Sequence, residues 1–170
     1  MSEQTSPATT ELMDLAGKYL TFQLGAEEYA IEIMRVREII GLMDITDVLR
    51  TPEHIRGVIN LRGRIIPVLD LRVRFGMDSV PDSDETCIIV VETNNGSTAT
   101  QMGILVDRVC EVMDITQNEL EAPPSFGDDV DSSFILGMAK RESDVTILLN
   151  VACVLSSAEA AAATTAASQG

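Results

Sequence analysis

The sequence predicts an all-β protein made of two small β-barrels. Short stretches of alternating apolar and polar residues recur along most of the chain, and turn signals such as Gly25-Ala26, Arg62-Gly63 and Asn95-Gly96 separate them. Only the C-terminal part has the pattern of a helix. The pattern is typical of a barrel or a sandwich, and about ten predicted strands, arranged in two runs, fit two small barrels better than one large barrel.

The first run of strands begins near Lys18. The segments "KYLTFQL" and "EEYAIEI" alternate as two strands joined at Gly25-Ala26, and "MRVREII" continues the run to a bend at Gly41. Thr51-Pro52 has the pattern of an N-cap followed by the first residue of a helix, so we expect a single helical turn there.

A hairpin follows, made of "GVINL" and "RIIPVLDL". Arg62-Gly63 forms its turn, because the glycine tolerates the positive φ that such a turn needs. Pro67 has no amide to donate to a ladder, so we expect its strand to lie at a sheet edge or a bulge. Asp70 is a good cap for a short helix, which Gly76 would end.

The second run of strands follows the polar connection Val80–Glu85. The nearly all-apolar "TCIIVVE" predicts a central strand, and Asn95-Gly96 predicts a hairpin after it. The segments "FILGMAK" and "VTILLN" flank the turn "RESD" as another hairpin. From Val151 the pattern indicates a C-terminal helix that frays into an alanine-rich tail.

These patterns define the domain organisation. We expect a disordered arm over residues 1–15, one domain over 16–156 with two barrel subdomains divided near 80–85, and a flexible tail over 157–170. The chain has neither a signal peptide pattern nor an apolar run that could cross a bilayer, which indicates a cytoplasmic protein without direct membrane insertion. The cysteines lack metal-ligand spacing and are expected to be buried free thiols: Cys87, Cys110 and Cys153.

Charge is distributed unevenly along this acidic chain. The net charge is −15, yet six of the twelve basic residues lie between Arg50 and Arg74, opposed there only by Glu53 and Asp70. This segment therefore carries +4 and the rest of the chain −19. Such a cluster could protect a strand edge, hold an anion, or bind an acidic partner surface. The acidic remainder and the 4% aromatic content argue against nucleic-acid binding.

The residues needed for enzyme chemistry are largely missing. His54 is the sole histidine and has no second histidine or cysteine at ligand spacing, so we interpret it as a turn residue. No phosphate-binding glycine motif is present. Asp128, Asp129 and Asp131 lie close together, but without the glycine and distal glutamate of a calcium loop they indicate a solvated acidic loop. We expect no enzyme activity, no cofactor and no metal.

Four segments together identify a family resemblance. "RGVINLRGRIIPVLDLRVRFG", "FQLGAEEYAIEIMRVREI", "GILVDRVCEV" and "ILGMAKRESDVTILLNV" resemble, in sequence and in order, the CheW family of chemotaxis coupling proteins, over about Lys18 to Val154. The alanine-rich tail and Cys110 depart from the family pattern. The resemblance implies two SH3-like five-stranded β-barrels around a shared core, with short helical turns and a C-terminal helix.

The resemblance also implies partners and partner-binding residues. Its members are adaptors that bind the regulatory domain of the histidine kinase CheA and the cytoplasmic hairpin tips of chemoreceptors, in membrane-bound arrays. The positions in this sequence that match the family's partner-binding surface are Val36, Glu38, Gly57, Arg62, Gly103 and Val109. Gly57 would allow another backbone to approach closely, or would serve as a bend. Gly103 and Val109 would line a groove, or would be ordinary barrel residues.

Two other functions stay open at this point. One is a paralogous CheW-like coupling protein in twitching motility or another chemosensory pathway, with the same mechanism and different receptors. The other, from a different class, is an enzyme that uses the arginine cluster to hold an anion, which the absence of a nearby base or nucleophile makes remote.

Overall fold

Eleven strands contain most of the residues that the structure describes. The structure is a computed structural model that describes residues 15–78, 81–95, 98–122 and 134–154. The strands are β1 (Gly17–Leu24), β2 (Glu27–Glu32), β3 (Val36–Gly41), β4 (Ile55–Leu61), β5 (Arg64–Asp70), β6 (Cys87–Asn95), β7 (Thr98–Val106), β8 (Arg108–Ile115), β9 (Leu120–Glu121), β10 (Ile135–Arg141) and β11 (Asp144–Leu149). Helix α1 is Leu71–Arg74, residues 151–154 are helical, and Ile33–Arg35 and Gln117–Glu119 are 3₁₀ turns.

The strands form two sheets, which confirms the predicted all-β fold of two small barrels. One sheet has six strands in the order β8-β1-β2-β11-β10-β9, and the other has five in the order β3-β6-β7-β5-β4. Neighbouring strands are antiparallel except for two pairs, β11 with β2 and β5 with β7. The sixth strand of the larger sheet, β9, has only two residues.

Each sheet encloses a core of its own. The core of the six-stranded sheet contains Tyr19, Ala30, Ile115, Leu120, Ala139 and Leu148. The core of the five-stranded sheet contains Ile59, Ile66, Val68, Ile88, Val90 and Leu105. A backbone bridge between Thr46 and Val58 ties the segment after β3 to β4, so the two outer strands of the five-stranded sheet close on each other.

A third core lies between the two sheets. It takes Leu20, Phe22 and Ile31 from one sheet and Ile89, Met102 and Ile104 from the other. Val151 and Val154 of the C-terminal helical segment are also buried in it. Because both barrels share this apolar core, they fold as one unit around it.

The predicted division near residues 80–85 is wrong. Strands β6 and β7, which follow that connection, lie in the same sheet as β3, β4 and β5. The five-stranded sheet is therefore inserted in the six-stranded sheet, and the chain crosses between them twice, at Ile33–Arg35 and at Asp107. The sequence pattern missed this because antiparallel and parallel neighbours are chosen by long-range packing, which leaves no local signal.

One local prediction also requires correction. No helix forms at Thr51-Pro52, where the amide of Ile55 donates to the Pro52 carbonyl at 3.0 Å and closes a simple turn. The edge or bulge predicted at Pro67 is confirmed locally: β5 lies between β4 and β7, but at Pro67 it is paired with β4 alone, next to a register shift in that pairing. Its pairing with β7 begins at Val68, one residue after Pro67, so the missing amide breaks no ladder bond to β7.

The remaining local predictions can be assessed only in part. The predicted strand pairs at Gly25, Arg62-Gly63 and residues 142–143 are confirmed, as is the Asp70 cap, which accepts a hydrogen bond from the Arg72 amide at 3.0 Å. No disulfide joins the three cysteines, as predicted, but they are half-buried rather than buried. The N-terminal arm, Gly96, the acidic loop with Asp128, Asp129 and Asp131, and the tail after 154 lie outside the described residues.

Candidate partner-binding surface

The turn between β4 and β5 presents Arg62 to solvent. Arg62 and Gly63 both have positive φ, 53° and 86°, the pattern of a two-residue turn whose twist matches the strands it joins. The Gly63 amide donates to the side-chain oxygen of Asn60 at 2.9 Å, which fixes the turn. This turn geometry holds Arg62 at the tip of the hairpin without burying its side chain.

Closure of the five-stranded sheet brings Glu38 to Arg62. Glu38 lies on β3 at one edge of the sheet, and Arg62 follows β4 at the other edge. The Arg62 guanidinium donates to the Glu38 carboxylate in an ion pair. The Arg62 side chain is 69% exposed and that of Glu38 30%, so this pair contributes roughly 0–1 kcal/mol to folding stability.

Strands β3 and β5 each carry an exposed apolar side chain close in sequence to this pair. Ile65 lies at the start of β5 next to the hairpin tip and is 66% exposed, which is high for a large apolar residue. Ile39 is 43% exposed but lies on the opposite face of β3 from Glu38, because Glu38 is paired with Val90 of the barrel core and Ile39 with Ile89 of the core between the sheets. The tip surface, defined as Glu38, Arg62 and Ile65, therefore combines an exposed ion pair with exposed apolar area, which is the composition of a protein interface.

Val36 and Val109 lie at the junction of the two barrels, one on each barrel. Val36 is on β3 of the five-stranded sheet, and Val109 is on β8 of the six-stranded sheet, opposite Phe22. Both are half-buried and pack against the core between the sheets. Val36 precedes Glu38 by two residues on the same strand.

Gly57 has an internal role. Its φ is +149°, and a Cβ built on it would lie 2.2 Å from the Thr46 carbonyl oxygen and 2.8 Å from Cγ2 of Ile45. The close backbone approach expected at Gly57 is therefore real, but the approaching backbone belongs to this same chain. Gly57 is buried, so it shapes the surface only through the fold.

Gly103 is likewise buried. It lies on β7 between β6 and β5, paired with Val90 and Val68. A Cβ there would lie 2.8 Å from Cγ2 of Ile88, within the core of the five-stranded barrel. Among the two roles that the sequence left open for Gly103, the structure favours the barrel residue.

The arginine cluster divides among several roles. Arg72 donates two hydrogen bonds to Asp107, at 2.8 and 2.5 Å, and these bonds, with one from the Gly25 amide, lower the pKa of Asp107 below its ordinary value. Arg56 donates to Asp82 at 2.9 Å, and the Arg74 guanidinium lies 4.4 Å from the ring centre of Phe134. Much of the local positive charge is therefore engaged in contacts within the protein, whereas the side chain of Arg62 is exposed at the hairpin tip.

Sequence reasoning missed Ile39 and Ile65. Their signal was present, because each is a large apolar residue next to a charged residue of a strand whose other face is buried. Alternation alone does not tell which apolar residue faces out, since both faces of these strands carry isoleucines. Only the closed barrel shows which isoleucine of each strand faces outward.

No metal site is assembled in the described part of the chain. No group of three or more histidine, cysteine, aspartate or glutamate residues within it could hold a metal ion. His54 is at a turn, as predicted, and its pKa is lowered by burial and then by the nearby Arg74. No described helix is long and apolar enough to cross a membrane.

Comparison with known proteins agrees with this architecture. The family model described as the CheW-like domain matches residues 18–159. The chain belongs to the CheW-like domain family. It is 37% identical over 144 residues to Chemotaxis protein CheW of Klebsiella aerogenes, covering 85% of this chain and 84% of that protein. It is 30% identical over 156 residues to Chemotaxis protein CheW of Rhizobium meliloti, covering 92% and 98% of the two chains.

A solved CheW structure has the same fold. The crystal structure of the scaffolding protein TtCheW from Thermoanaerobacter tengcongensis is similar with a TM-score of 0.70 and 38% sequence identity, over 80% of this chain and 90% of that chain. The two sheets described above are accordingly two SH3-like β-barrels, as the family resemblance implied.

Proposed function

We propose that this chain is a non-enzymatic adaptor of bacterial chemotaxis. It couples the histidine kinase CheA, through the regulatory domain of the kinase, to the cytoplasmic hairpin tips of chemoreceptors. It works in the cytoplasm and is recruited to receptor arrays by these contacts. Membership of the CheW-like family and the names of the relatives support this assignment.

The tip surface is the observation that carries the proposal. Two opposite charges from opposite sheet edges meet there in solvent, where the ion pair adds little to stability. Exposed Ile65, at the start of the strand that follows the hairpin turn, supplies apolar area that a partner can cover. When a bound protein excludes water from this pair, Glu38 and Arg62 contribute more to binding specificity. Removing one member of a buried charge pair costs about 2–5 kcal/mol of binding free energy.

The proposal assigns different parts to the six predicted residues. Glu38 and Arg62 contact a partner directly, and Val36 and Val109 contribute through the barrel junction. Gly57 and Gly103 support binding indirectly, because both are packed inside the five-stranded barrel.

A double-mutant cycle tests the direct role of the tip pair. Glu38→Ala, Arg62→Ala and the double variant are titrated by calorimetry against the CheA regulatory domain and against a receptor hairpin fragment, and unfolded in denaturant. Both single variants are expected to weaken association with at least one partner while their unfolding free energies change by less than about 0.5 kcal/mol.

A second exposed ion pair provides the control. Lys18 and Asp114 pair at 2.9 Å on the six-stranded sheet, with side chains 61% and 70% exposed. Lys18→Ala is expected to leave binding to both partners unchanged. Strong coupling of Glu38 and Arg62 in unfolding, together with normal binding of both single variants, would assign the pair to the barrel instead of the interface.

A further inference from the structure

The second crossing between the two sheets consists of one residue. Strand β7 of the five-stranded sheet ends at Val106, and β8 of the six-stranded sheet begins at Arg108, so Asp107 alone joins them. The amide of Asp107 donates to the Gln23 carbonyl of β1 at 3.1 Å. The relative direction of the two sheets at this crossing therefore depends on the conformation of a single residue.

The side chain of Asp107 is held from both sheets. Arg72, on the short helix that follows β5, donates from Nε to Oδ1 at 2.8 Å and from a terminal nitrogen to Oδ2 at 2.5 Å. The amide of Gly25, in the β1–β2 turn, donates to Oδ2 at 2.8 Å. We call Arg72, Asp107 and Gly25 the inter-barrel clamp.

The clamp is itself held in place. The Arg72 side chain is 15% exposed and that of Asp107 26%, so both are largely shielded from solvent. Arg72 also donates to the Asp78 carbonyl at 3.2 Å, and its backbone amide donates to the Asp70 side chain at 3.0 Å. The guanidinium therefore has little freedom to reorient without breaking several hydrogen bonds.

Other ion pairs constrain the crossings less. Arg108 and Glu85 also join the two sheets, but their atoms are 3.9 Å apart and the side chains are 46% and 65% exposed. At the first crossing, Arg35 and Glu32 lie three residues apart and 3.8 Å from each other, so their pair is local. Among the described ion pairs that connect the two sheets, the Arg72–Asp107 pair of the clamp is the one shielded from solvent.

The physical roles of the clamp and of the shared core differ. Burial of apolar surface is non-directional as a driving force, and the core between the sheets restricts the angle only through the fit of its packed side chains. A bidentate arginine–carboxylate pair has a preferred geometry as well as an attraction. A chain with the core intact and the clamp removed would stay folded, with the angle between its barrels held by packing alone and therefore over a wider range.

We propose that the inter-barrel clamp is a positioning element that fixes the angle between the two barrels, so that two proteins bound to the adaptor at once are held in one relative orientation. The inference rests on the proposed adaptor function, because orientation matters only when two partners are bound together. Neither Arg72 nor Asp107 needs to touch a partner. They act by setting the relative orientation of the proposed contact residues, which are the tip surface on one barrel and Val36 and Val109 at the junction.

This role predicts a specific pattern of binding. Arg72→Ala leaves the affinity for each partner alone unchanged within about twofold, because the contact surfaces keep their local structure. The cooperative formation of the three-component complex falls by about tenfold, within the usual range of coupling between two sites. A loss of general stability would instead weaken every binding step in proportion to the unfolded fraction.

The experiment has one readout that needs no partner. Residual dipolar couplings of backbone amides are measured in the full chain for the wild type, Arg72→Ala, Asp107→Asn and Arg56→Ala. Arg56 is the matched control, because its pair with Asp82 at 2.9 Å is half-exposed and does not involve the six-stranded sheet. The wild type and Arg56→Ala are expected to fit one alignment tensor for both sheets, and the two clamp variants to require two.

The second readout is binding, measured for each partner alone and for both together. If the clamp variants fit one tensor and form the three-component complex normally, the positioning role is wrong. If Arg72→Ala does not fold, Asp107→Asn decides, since it keeps the size and an oxygen acceptor of the side chain. If the wild type binds neither partner, the proposed function is wrong. The dipolar couplings would still test whether the clamp fixes the angle between the barrels.

Discussion

Two hairpins of this molecule have the same backbone plan and carry opposite charges at their tips. The first is β4–β5 and the second is β10–β11, and their residues correspond at an offset of 80, so that Gly57 matches Gly137 and Arg62 matches Glu142. Each has a register shift at its start, between Ile55 and Gly57 or between Ile135 and Gly137. Arg62 and Glu142 have φ of 53° and 51°.

The resemblance continues beyond the strands. The Asp70 amide donates to the His54 carbonyl at 2.8 Å, and the Asn150 amide donates to the Phe134 carbonyl at 2.7 Å. A short helical segment follows each hairpin, and the second strand of each pairs in parallel with a strand from elsewhere in its sheet. The two barrels therefore repeat one supersecondary unit.

The tips are where the two hairpins differ most. The first presents Arg62-Gly63-Arg64, and the second presents Glu142-Ser143-Asp144. Because backbone and register are shared, the fold does not require either charge. We propose that the repeated hairpin is a scaffold and that tip charge selects which hairpin receives a partner, through specificity and association rate.

The largest expected effect concerns the bulge that both hairpins share. Gly57→Ala should lower the unfolding free energy by about 4 kcal/mol or more, because the new Cβ would meet the Thr46 backbone at a positive φ. Chemical denaturation measures this. Gly63→Ala is the control, since Gly63 also has positive φ but nothing lies within 4 Å of its added Cβ, so only about 1–2 kcal/mol of backbone strain is expected. Equal losses in the two variants would refute the internal role of Gly57.

Local chemistry let the sequence predict these hairpins, whereas their arrangement depended on distant contacts. The turn at Arg62-Gly63 and the Asp70 cap follow from residue type, and both are confirmed. The insertion of one sheet into the other, and the meeting of Glu38 with Arg62 across a closed sheet, arise from long-range pairing. Family resemblance supplied Gly57 and Gly103 as site residues, but only packing reveals that both are buried.

A smaller effect is expected at the helix caps that follow the hairpins. Asp70 accepts from the Arg72 amide, and Asn150 accepts from the Cys153 amide at 3.2 Å. Asp70→Ala and Asn150→Ala should each cost about 1 kcal/mol, whereas Asp70→Asn should cost much less because an oxygen acceptor remains. Thermal unfolding of the three variants checks this. If Asp70→Asn is as unstable as Asp70→Ala, the carboxylate charge matters and the two caps are not equivalent.

The smallest effect concerns His54, which matches Phe134 in the other hairpin. Burial, and then Arg74, lowers the pKa of His54 in the folded state, so the unfolded state takes up its proton first as pH falls. Stability should therefore decline as pH drops below about 6.5, the ordinary histidine value, toward the folded-state pKa. His54→Phe, which makes the two hairpins alike here, should flatten this decline. Identical pH profiles between about pH 7 and 5 would rule out the histidine as the cause.

Charge reversal at the two tips tests the central claim most directly. Arg62→Glu and Glu142→Arg place opposite changes at equivalent positions of the same backbone, and each is titrated by calorimetry against the CheA regulatory domain and a receptor hairpin fragment. We expect Arg62→Glu to weaken association with at least one partner by tenfold or more, about 1.4 kcal/mol. We expect Glu142→Arg to leave both affinities within about twofold, with unfolding free energies of both variants within about 0.5 kcal/mol of wild type. Normal binding by Arg62→Glu, or equal weakening by Glu142→Arg, would contradict the assignment of the partner surface to the first hairpin tip.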